Sequence, residues 1–146
     1  MPFSFLMPLR GKVSDVSSSP DPTFAKGLLG PGFVIHPDDH VVRAPVDGIV
    51  ELVYPTRHVM AIRMENRVSI MIHLGFDERL RGDVIEVLVE PGQILRQGDI
   101  MARFDASLLA LPFEALATTV VFVQKKQLTI REHPAETSAL YSLEVE

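Results

Sequence analysis

The chain has 146 residues, a formal net charge of −5 and no cysteine. This length predicts one domain with a single core. The lack of cysteine excludes disulfides, thiol nucleophiles and cysteine–zinc sites, and the acidic balance without a long basic run argues against a nucleic-acid partner. No apolar run approaches the ~18 residues of a membrane span, and the opening MPFSFLM lacks the basic region and cleavage pattern of a signal peptide.

In chain order, residues 1–8 are expected to form a flexible or loosely packed N-terminal segment. The start at Met1 favours a free-standing protein over a piece of a longer one, and the sequence leaves both open. The segments PTFAKGLLG, DERLR and ASLLAL are the only helical candidates, each a turn or two long. Eleven prolines and nine glycines punctuate the rest as turn signals. Between them lie short segments of β character: GFVI, GIVELVY, HVMAIRM, RVSIMIHL, VIEVLV, DIMARF, TTVVFV and YSLEVE. This pattern predicts a single all-β domain over residues 1–146, an antiparallel β-sandwich with a few short helical turns.

The stretch TRHVMAIRMENRVSIMIHLGF carries two of the five histidines, His58 and His73, near its ends. If Glu65-Asn66 is a two-residue loop, the flanking segments pair as antiparallel strands and the two histidines lie directly opposite each other. Directly opposed residues have Cβ atoms about 4.5–5.5 Å apart, so the two imidazoles could share one small anion. The prediction depends on the loop length, because a slip of one residue changes the pairing.

Side chains that alternate along a strand give this hairpin two faces. Tyr54 and Thr56 fall on the face of the two histidines, and Met71 falls on the matching side of the second strand. A lone histidine in a strand is usually a polar residue without function, whereas two facing histidines predict a shared site. The opposite face is predicted to enter the core and carries Val59, Ala61, Val68, Ile70 and Ile72.

The phrases VRAPVDGIVELV and VEPGQILRQGDIMARF resemble the hairpins of biotinyl and lipoyl carrier domains. Those domains carry their cofactor on a lysine at a hairpin tip. Here the tip between the two phrases reads RMENRV and has no lysine. The resemblance therefore favours a barrel-sandwich hybrid-like topology without the carrier chemistry.

Two histidine pairs have some features of a metal site. His36 and His40 in HPDDH have the spacing of a helical pair, but Pro37 and two aspartates predict a loop. The pair His58 and His73 could hold an adventitious zinc ion with a carboxylate from a partner, since the chain offers no convincing third ligand nearby. No metal site is therefore predicted as part of the chemistry.

Four ordered phrases carry a further resemblance, which extends from about Leu9 to about Gln124. They are LRGKVSDVSSSPDPTFAKGLLGPGFVIHP, VVRAPVDGIVELVYPTRHVMAI, VSIMIHLGFD and VEPGQILRQGDIMARFD. The chain resembles the glucose-type enzyme IIA component of the bacterial sugar phosphotransferase system. The resemblance implies an antiparallel β-sandwich and a cytoplasmic phosphotransferase that relays a phosphoryl group without a cofactor.

Site residues follow from the matched phrases. The phrase IMIHLGFD implies that His73 is phosphorylated, and YPTRHVMAI implies that His58 stabilises the phosphoryl group. Thr56, two residues before His58, would hydrogen-bond within the pair.

The resemblance also implies two protein partners, a small histidine phosphocarrier protein as donor and a cysteine of an enzyme IIB domain as acceptor. Phe24, Tyr54 and Met71 would form an apolar collar that contacts them. Asp21 and Asp77 would lie on the acidic rim and raise the association rate. An aspartate in turns such as SPDP and GFDE is also explained by local hydrogen bonds alone.

Two positions depart from the family pattern. Arg57 replaces a typical asparagine, and Arg79 stands where an apolar rim residue is expected. Both add positive charge to a face that must dock a basic carrier. They leave open an alternative, a non-catalytic regulator of the same fold that binds other proteins according to its phosphorylation state.

Overall fold

The computed structural model describes residues 2–75, 84–134 and 139–146. Short helical segments are α1 (Pro22–Ala25), α2 (Phe113–Leu116) and the 3₁₀ turns Val16–Ser18 and Ala106–Ala110. The strands of these ranges are β1 (Phe3–Leu6), β2 (Gly11–Asp15), β3 (Gly32–Pro37), β4 (Val41–Arg43), β5 (Gly48–Val53), β6 (Val59–Arg63), β7 (Ser69–His73), β8 (Ile85–Val87), β9 (Ile94–Leu95), β10 (Ile100–Phe104), β11 (Thr118–Phe122), β12 (Leu128–Glu132) and β13 (Leu140–Val145).

The strands form three sheets, and each of their pairings is antiparallel. The largest sheet has the order β2-β3-β11-β7-β6-β5-β9, and the smaller ones are β1-β13-β12 and β4-β10-β8. The predicted all-β antiparallel architecture is confirmed. The sequence pattern missed β1, β2, β4, β9 and β12, which are short or largely exposed and therefore lack a clear alternation of apolar residues.

One hydrophobic core gathers side chains from all three sheets. Its centre is the inner face of the large sheet, where several large side chains have no exposed surface. Burial of a large aliphatic side chain contributes roughly 1.5–3 kcal/mol, so this layer dominates the stability of the sheet. These side chains are Ile35, Met60, Ile62, Ile70, Ile72, Val120 and Phe122.

Residues 3–8 pack into this core, in contrast to the expectation that residues 1–8 form a flexible or loosely packed segment. Phe5 is fully buried, and its ring lies 5.4 Å from that of Phe122. Strand β1 pairs with β13, which places Phe5 opposite Tyr141. A partner strand at the far end of the chain leaves no local signal in the sequence.

The register of the β6–β7 hairpin differs by one residue from the predicted one. His73 pairs with Val59, not His58, because the loop has three residues, 65–67. Arg67 adopts a positive φ of 70°, and its N–H donates to the Met64 carbonyl at 2.9 Å. Val59 and Ala61 were predicted to face the core, and this register places them on the face of His73.

The helical candidates PTFAKGLLG and ASLLAL contain α1 and the second 3₁₀ turn, and DERLR lies outside the described residues. Gly32 fixes how closely β3 approaches β11, since a Cβ there would lie 1.8 Å from the Val120 carbonyl oxygen. Among the described helices, none is both long and apolar enough to cross a membrane.

Candidate active site

His58 and His73 meet at the end of the β6–β7 hairpin that lies opposite its loop. Their ring centroids are 5.1 Å apart and the ring planes are perpendicular. In this register a regular strand would point His58 to the face opposite His73. Strand β6 instead begins at Val59, after His58, and Arg57 on the other side of His58 has a φ of 67°. The turn therefore brings His58 back to His73, while the His58 carbonyl accepts a hydrogen bond from Leu74 N–H at 2.7 Å.

Thr56 holds the ring of His58. Its hydroxyl oxygen lies 2.5 Å from His58 Nδ1. The bond engages Nδ1, which leaves Nε2 of His58 as the nitrogen that can act on a bound group. The predicted contact between Thr56 and the histidine pair is thus present.

His73 sits at the C-terminal end of β7, half-buried, with its Nδ1 atom buried. The Phe24 ring packs against it edge-on with a centroid distance of 5.3 Å. Because Nδ1 is buried, Nε2 is the ring nitrogen through which His73 can react with a partner protein.

Phe24 lies beneath the site and not on its rim. Its side chain is only 4% exposed and forms a small cluster with Val16 and Val121, against which Met71 also packs. A ring this buried presents almost no surface, and the contact of Phe24 with a partner stays a prediction. Its place in the structure is that of a support for the His73 ring.

Tyr54 and Met71 lie beside the histidines as predicted. Tyr54 is 44% exposed, and its ring centroid lies 6.3 Å from that of His58. Met71 is half-buried on the same face as His73, two residues earlier in β7. Tyr54 is therefore the apolar side chain of the predicted collar with the most surface to offer.

The predicted acidic rim is only partly described. Asp21 caps α1, where its Oδ1 accepts a hydrogen bond from Thr23 N–H at 2.9 Å. This is the local role that an aspartate before a short helix commonly has. Asp77 and Arg79 lie outside the described residues.

Two further residues lie near the histidine pair: Arg57, which sequence reasoning placed on the docking face, and Thr119, which it did not assign to the site. Arg57 reaches towards β8, with its Nη1 atom 3.5 Å from the Ile85 carbonyl oxygen. Thr119 on β11 lies directly opposite His73 and is fully buried. The signal for Thr119 was a polar residue in the apolar segment TTVVFV, but its neighbour could not be known without the strand order.

Within the described ranges, no three or more His, Asp or Glu side chains gather as a metal site would need. His36 packs against Phe113 at a centroid distance of 5.4 Å, and His40 lies beside Asp39 at 3.5 Å.

The antiparallel β fold is that of an enzyme IIA protein of a sugar phosphotransferase system. Residues 3–128 match the family described as "phosphoenolpyruvate-dependent sugar phosphotransferase system, EIIA 1". The chain therefore belongs to this EIIA family. Its activity is that of a phosphotransferase relay component, which confirms the predicted reaction class.

Similar proteins agree with this assignment. The chain is 33% identical over 121 residues to the PTS system glucose-specific EIIA component of Staphylococcus epidermidis, covering 82% of this chain and 73% of the relative. It is 35% identical over 131 residues to that of Halalkalibacterium halodurans, covering 89% and 76%. The solved structure of glucose permease IIA from Mycoplasma capricolum superposes with a TM-score of 0.74 at 27% identity, covering 84% and 80%.

Proposed function

We propose that His73 accepts the phosphoryl group from the phosphohistidine of a small histidine phosphocarrier protein and passes it to a cysteine of an enzyme IIB domain. The observation that carries this proposal is the contact between the two histidine rings, 5.1 Å apart, at an exposed end of the sandwich. These partners imply that the relay operates in the cytoplasm. No cofactor is needed, because the phosphoryl group is carried covalently.

The first transfer uses the lone pair on Nε2 of His73. This nitrogen attacks the phosphorus, a new P–N bond forms, and the P–N bond to the donor imidazole breaks with its electron pair returning to the donor. Nδ1 is buried, so the attacking nitrogen is set by burial as well as by reach. In the second transfer a cysteine thiolate of the acceptor attacks the same phosphorus, and the electron pair of the P–N bond returns to His73. Phosphoryl transfer of this kind requires mainly positioning and charge stabilisation from the protein.

His58 supplies that stabilisation in this proposal. Its Nε2–H donates a charge-assisted hydrogen bond to the phosphoryl oxygens, which is stronger than a neutral one. Thr56 supports both forms of the ring at Nδ1. Its hydroxyl donates to Nδ1 when the ring is neutral and accepts from Nδ1–H when the ring is an imidazolium.

Docking would follow the usual division between an apolar centre and a charged rim. Tyr54 has the exposed apolar surface for the centre, and half-buried Met71 adds to it. We propose Asp77 as a rim contact and assign Asp21 a smaller share, because one of its carboxylate oxygens already caps α1.

The test is phosphorylation of the full chain by phosphoenolpyruvate, enzyme I and the phosphocarrier protein, followed by intact-mass measurement. We expect one acid-labile phosphoryl group on the wild type and none on His73→Gln. His36→Gln is the matched control, since His36 is an exposed histidine on another strand of the same sheet. The control should be phosphorylated like the wild type.

Two results would overturn the proposal. One is an unmodified wild type in a system that phosphorylates a known EIIA protein in the same experiment. The other is a His73→Gln protein that still accepts the group.

A further inference from the structure

Thr119 lies at a position where burial of its side-chain hydroxyl costs free energy of folding. It lies in the middle strand of β3-β11-β7 and has no exposed surface. Its Oγ1 has no hydrogen-bond partner among the described residues. A buried hydroxyl without a partner loses its interaction with water and gains nothing in return, whereas a valine of the same shape would not.

The preceding residue in the chain shows how such a hydroxyl is ordinarily satisfied. Thr118 is also buried, at 2% exposed, but its hydroxyl donates to the Leu116 carbonyl at 3.3 Å. Alternation along β11 places Thr118 on the opposite face of the sheet. The two threonines therefore have the same chemistry and nearly the same burial, and they differ in whether the hydroxyl is satisfied and in which face it occupies.

The strand register identifies the neighbours of Thr119. On its face, Val34 of β3 lies directly opposite on one side and His73 of β7 on the other. Directly opposed side chains have Cβ atoms about 4.5–5.5 Å apart, so a rotation about χ1 of Thr119 can bring its hydroxyl to the imidazole. His36, two residues beyond Val34, is exposed and packs against Phe113. Nδ1 of His73 is buried like the hydroxyl itself.

We infer that Thr119 is a positioning residue for His73, whose hydroxyl accepts a hydrogen bond from Nδ1–H and thereby holds the ring in the tautomer that attacks through Nε2. The inference rests on the proposed function, because it needs His73 to be the nucleophile. A neutral imidazole carries one proton, and a proton on Nδ1 leaves the lone pair on Nε2. An acceptor beside Nδ1 therefore favours the reactive tautomer and also fixes the rotation of the ring.

The inference is tested on full-length wild type, Thr119→Val and Thr119→Ser, with Thr118→Val as the matched control. Nitrogen-15 NMR of the unphosphorylated proteins reports the His73 tautomer, and rapid quenching reports the rate of phosphorylation by the phosphocarrier protein. We expect the Nδ1–H tautomer to dominate in the wild type and to lose population in Thr119→Val. The phosphorylation rate of Thr119→Val should fall about five- to tenfold, as the loss of one hydrogen bond predicts. Thr119→Ser keeps the hydroxyl and should recover the tautomer and most of the rate.

Several results would overturn the inference. They are a wild type with its proton mainly on Nε2, a Thr119→Val protein with the wild-type tautomer and rate, or a Thr118→Val protein that is equally slow. If Thr119→Val is too unstable to study, a Thr119→Ser protein with an altered tautomer would also exclude the role. The NMR measurement needs no phosphoryl transfer, so a chain that is never phosphorylated would contradict the proposed function without deciding the tautomer.

Discussion

The two turns that flank strand β6 are built alike and have different consequences. In each, an arginine adopts a positive φ, 67° at Arg57 and 70° at Arg67. Each arginine N–H donates to the carbonyl three residues earlier, Tyr54 at 2.8 Å and Met64 at 2.9 Å. The first turn ends on His58, whose ring meets His73, and the second only joins β6 to β7.

The same type of turn can therefore serve either folding or chemistry. A non-glycine residue at positive φ is strained, and such strain persists where the surrounding structure enforces it. In the 64–68 turn the enforcement is a strand pairing. In the 54–59 turn it also includes the hydrogen bond between Thr56 and His58. Changes in the first turn should therefore affect phosphoryl transfer, and changes in the second should affect stability alone.

The largest effect is expected from His58→Gln. His73 should still accept a phosphoryl group, whereas onward transfer to an enzyme IIB domain should fall at least 100-fold, because a charge-assisted donor to the phosphoryl oxygens is lost. Rapid-quench kinetics with phosphorylated protein would measure this step. If His58→Gln transfers the group onward at a rate within about threefold of wild type, His58 has no part in the mechanism. The two turns would then not differ in their effect on phosphoryl transfer.

Replacement of Thr56 should have the next largest effect. Thr56→Val removes the hydroxyl that holds His58 Nδ1 and should slow onward transfer about tenfold, in line with the loss of one hydrogen bond to a ring that becomes charged. Thr56→Ser keeps the hydroxyl and should remain close to wild type. Equal rates for the valine and serine variants would show that the hydroxyl has no part in the transfer.

The second turn should respond in stability only. Asn66 Oδ1 accepts a hydrogen bond from Val68 N–H at 3.1 Å, an arrangement that asparagine commonly provides in turns. Asn66→Ala should lower the free energy of unfolding by about 1 kcal/mol, measured by urea denaturation. Its phosphorylation and onward transfer should equal those of wild type, and a slower transfer would contradict the separation of the two turns.

The smallest effects are expected from Arg57→Gly and Arg67→Gly. Glycine relieves the strain at positive φ but adds entropy to the unfolded chain, so each change should alter the free energy of unfolding by less than about 0.5 kcal/mol. Arg57→Gly should slow onward transfer about two- to threefold, because it loosens the placement of His58. Arg67→Gly should not. A larger change in transfer rate for Arg67→Gly than for Arg57→Gly would reverse the comparison.

Much of the site followed from sequence because its residues are close in the chain. Thr56 and His58 are two residues apart, and the hairpin brings His73 to them even though the predicted register was wrong by one residue. The error arose at the loop. Glu-Asn-Arg contains no glycine, so the sequence did not predict a positive φ at Arg67 or the third loop residue. The match to the family phrases located the same histidines independently of the register.

The positions that were missed depend on distant strands. The N-terminal segment has no evident place in the fold until β13 pairs with β1, and nothing near Phe24 in the chain shows that its ring packs against His73. Thr119 looks like any threonine in a strand until β11 is placed beside β7.

The sequence by itself determined the antiparallel β architecture, the phosphotransferase family and the two histidines, because turn signals, β-forming segments and motif phrases are local properties of the chain. Only the tertiary structure decided which surface each side chain reaches. Burial and cross-strand contact depend on strand order and on a register that one residue can shift, and neither is a property of any single segment.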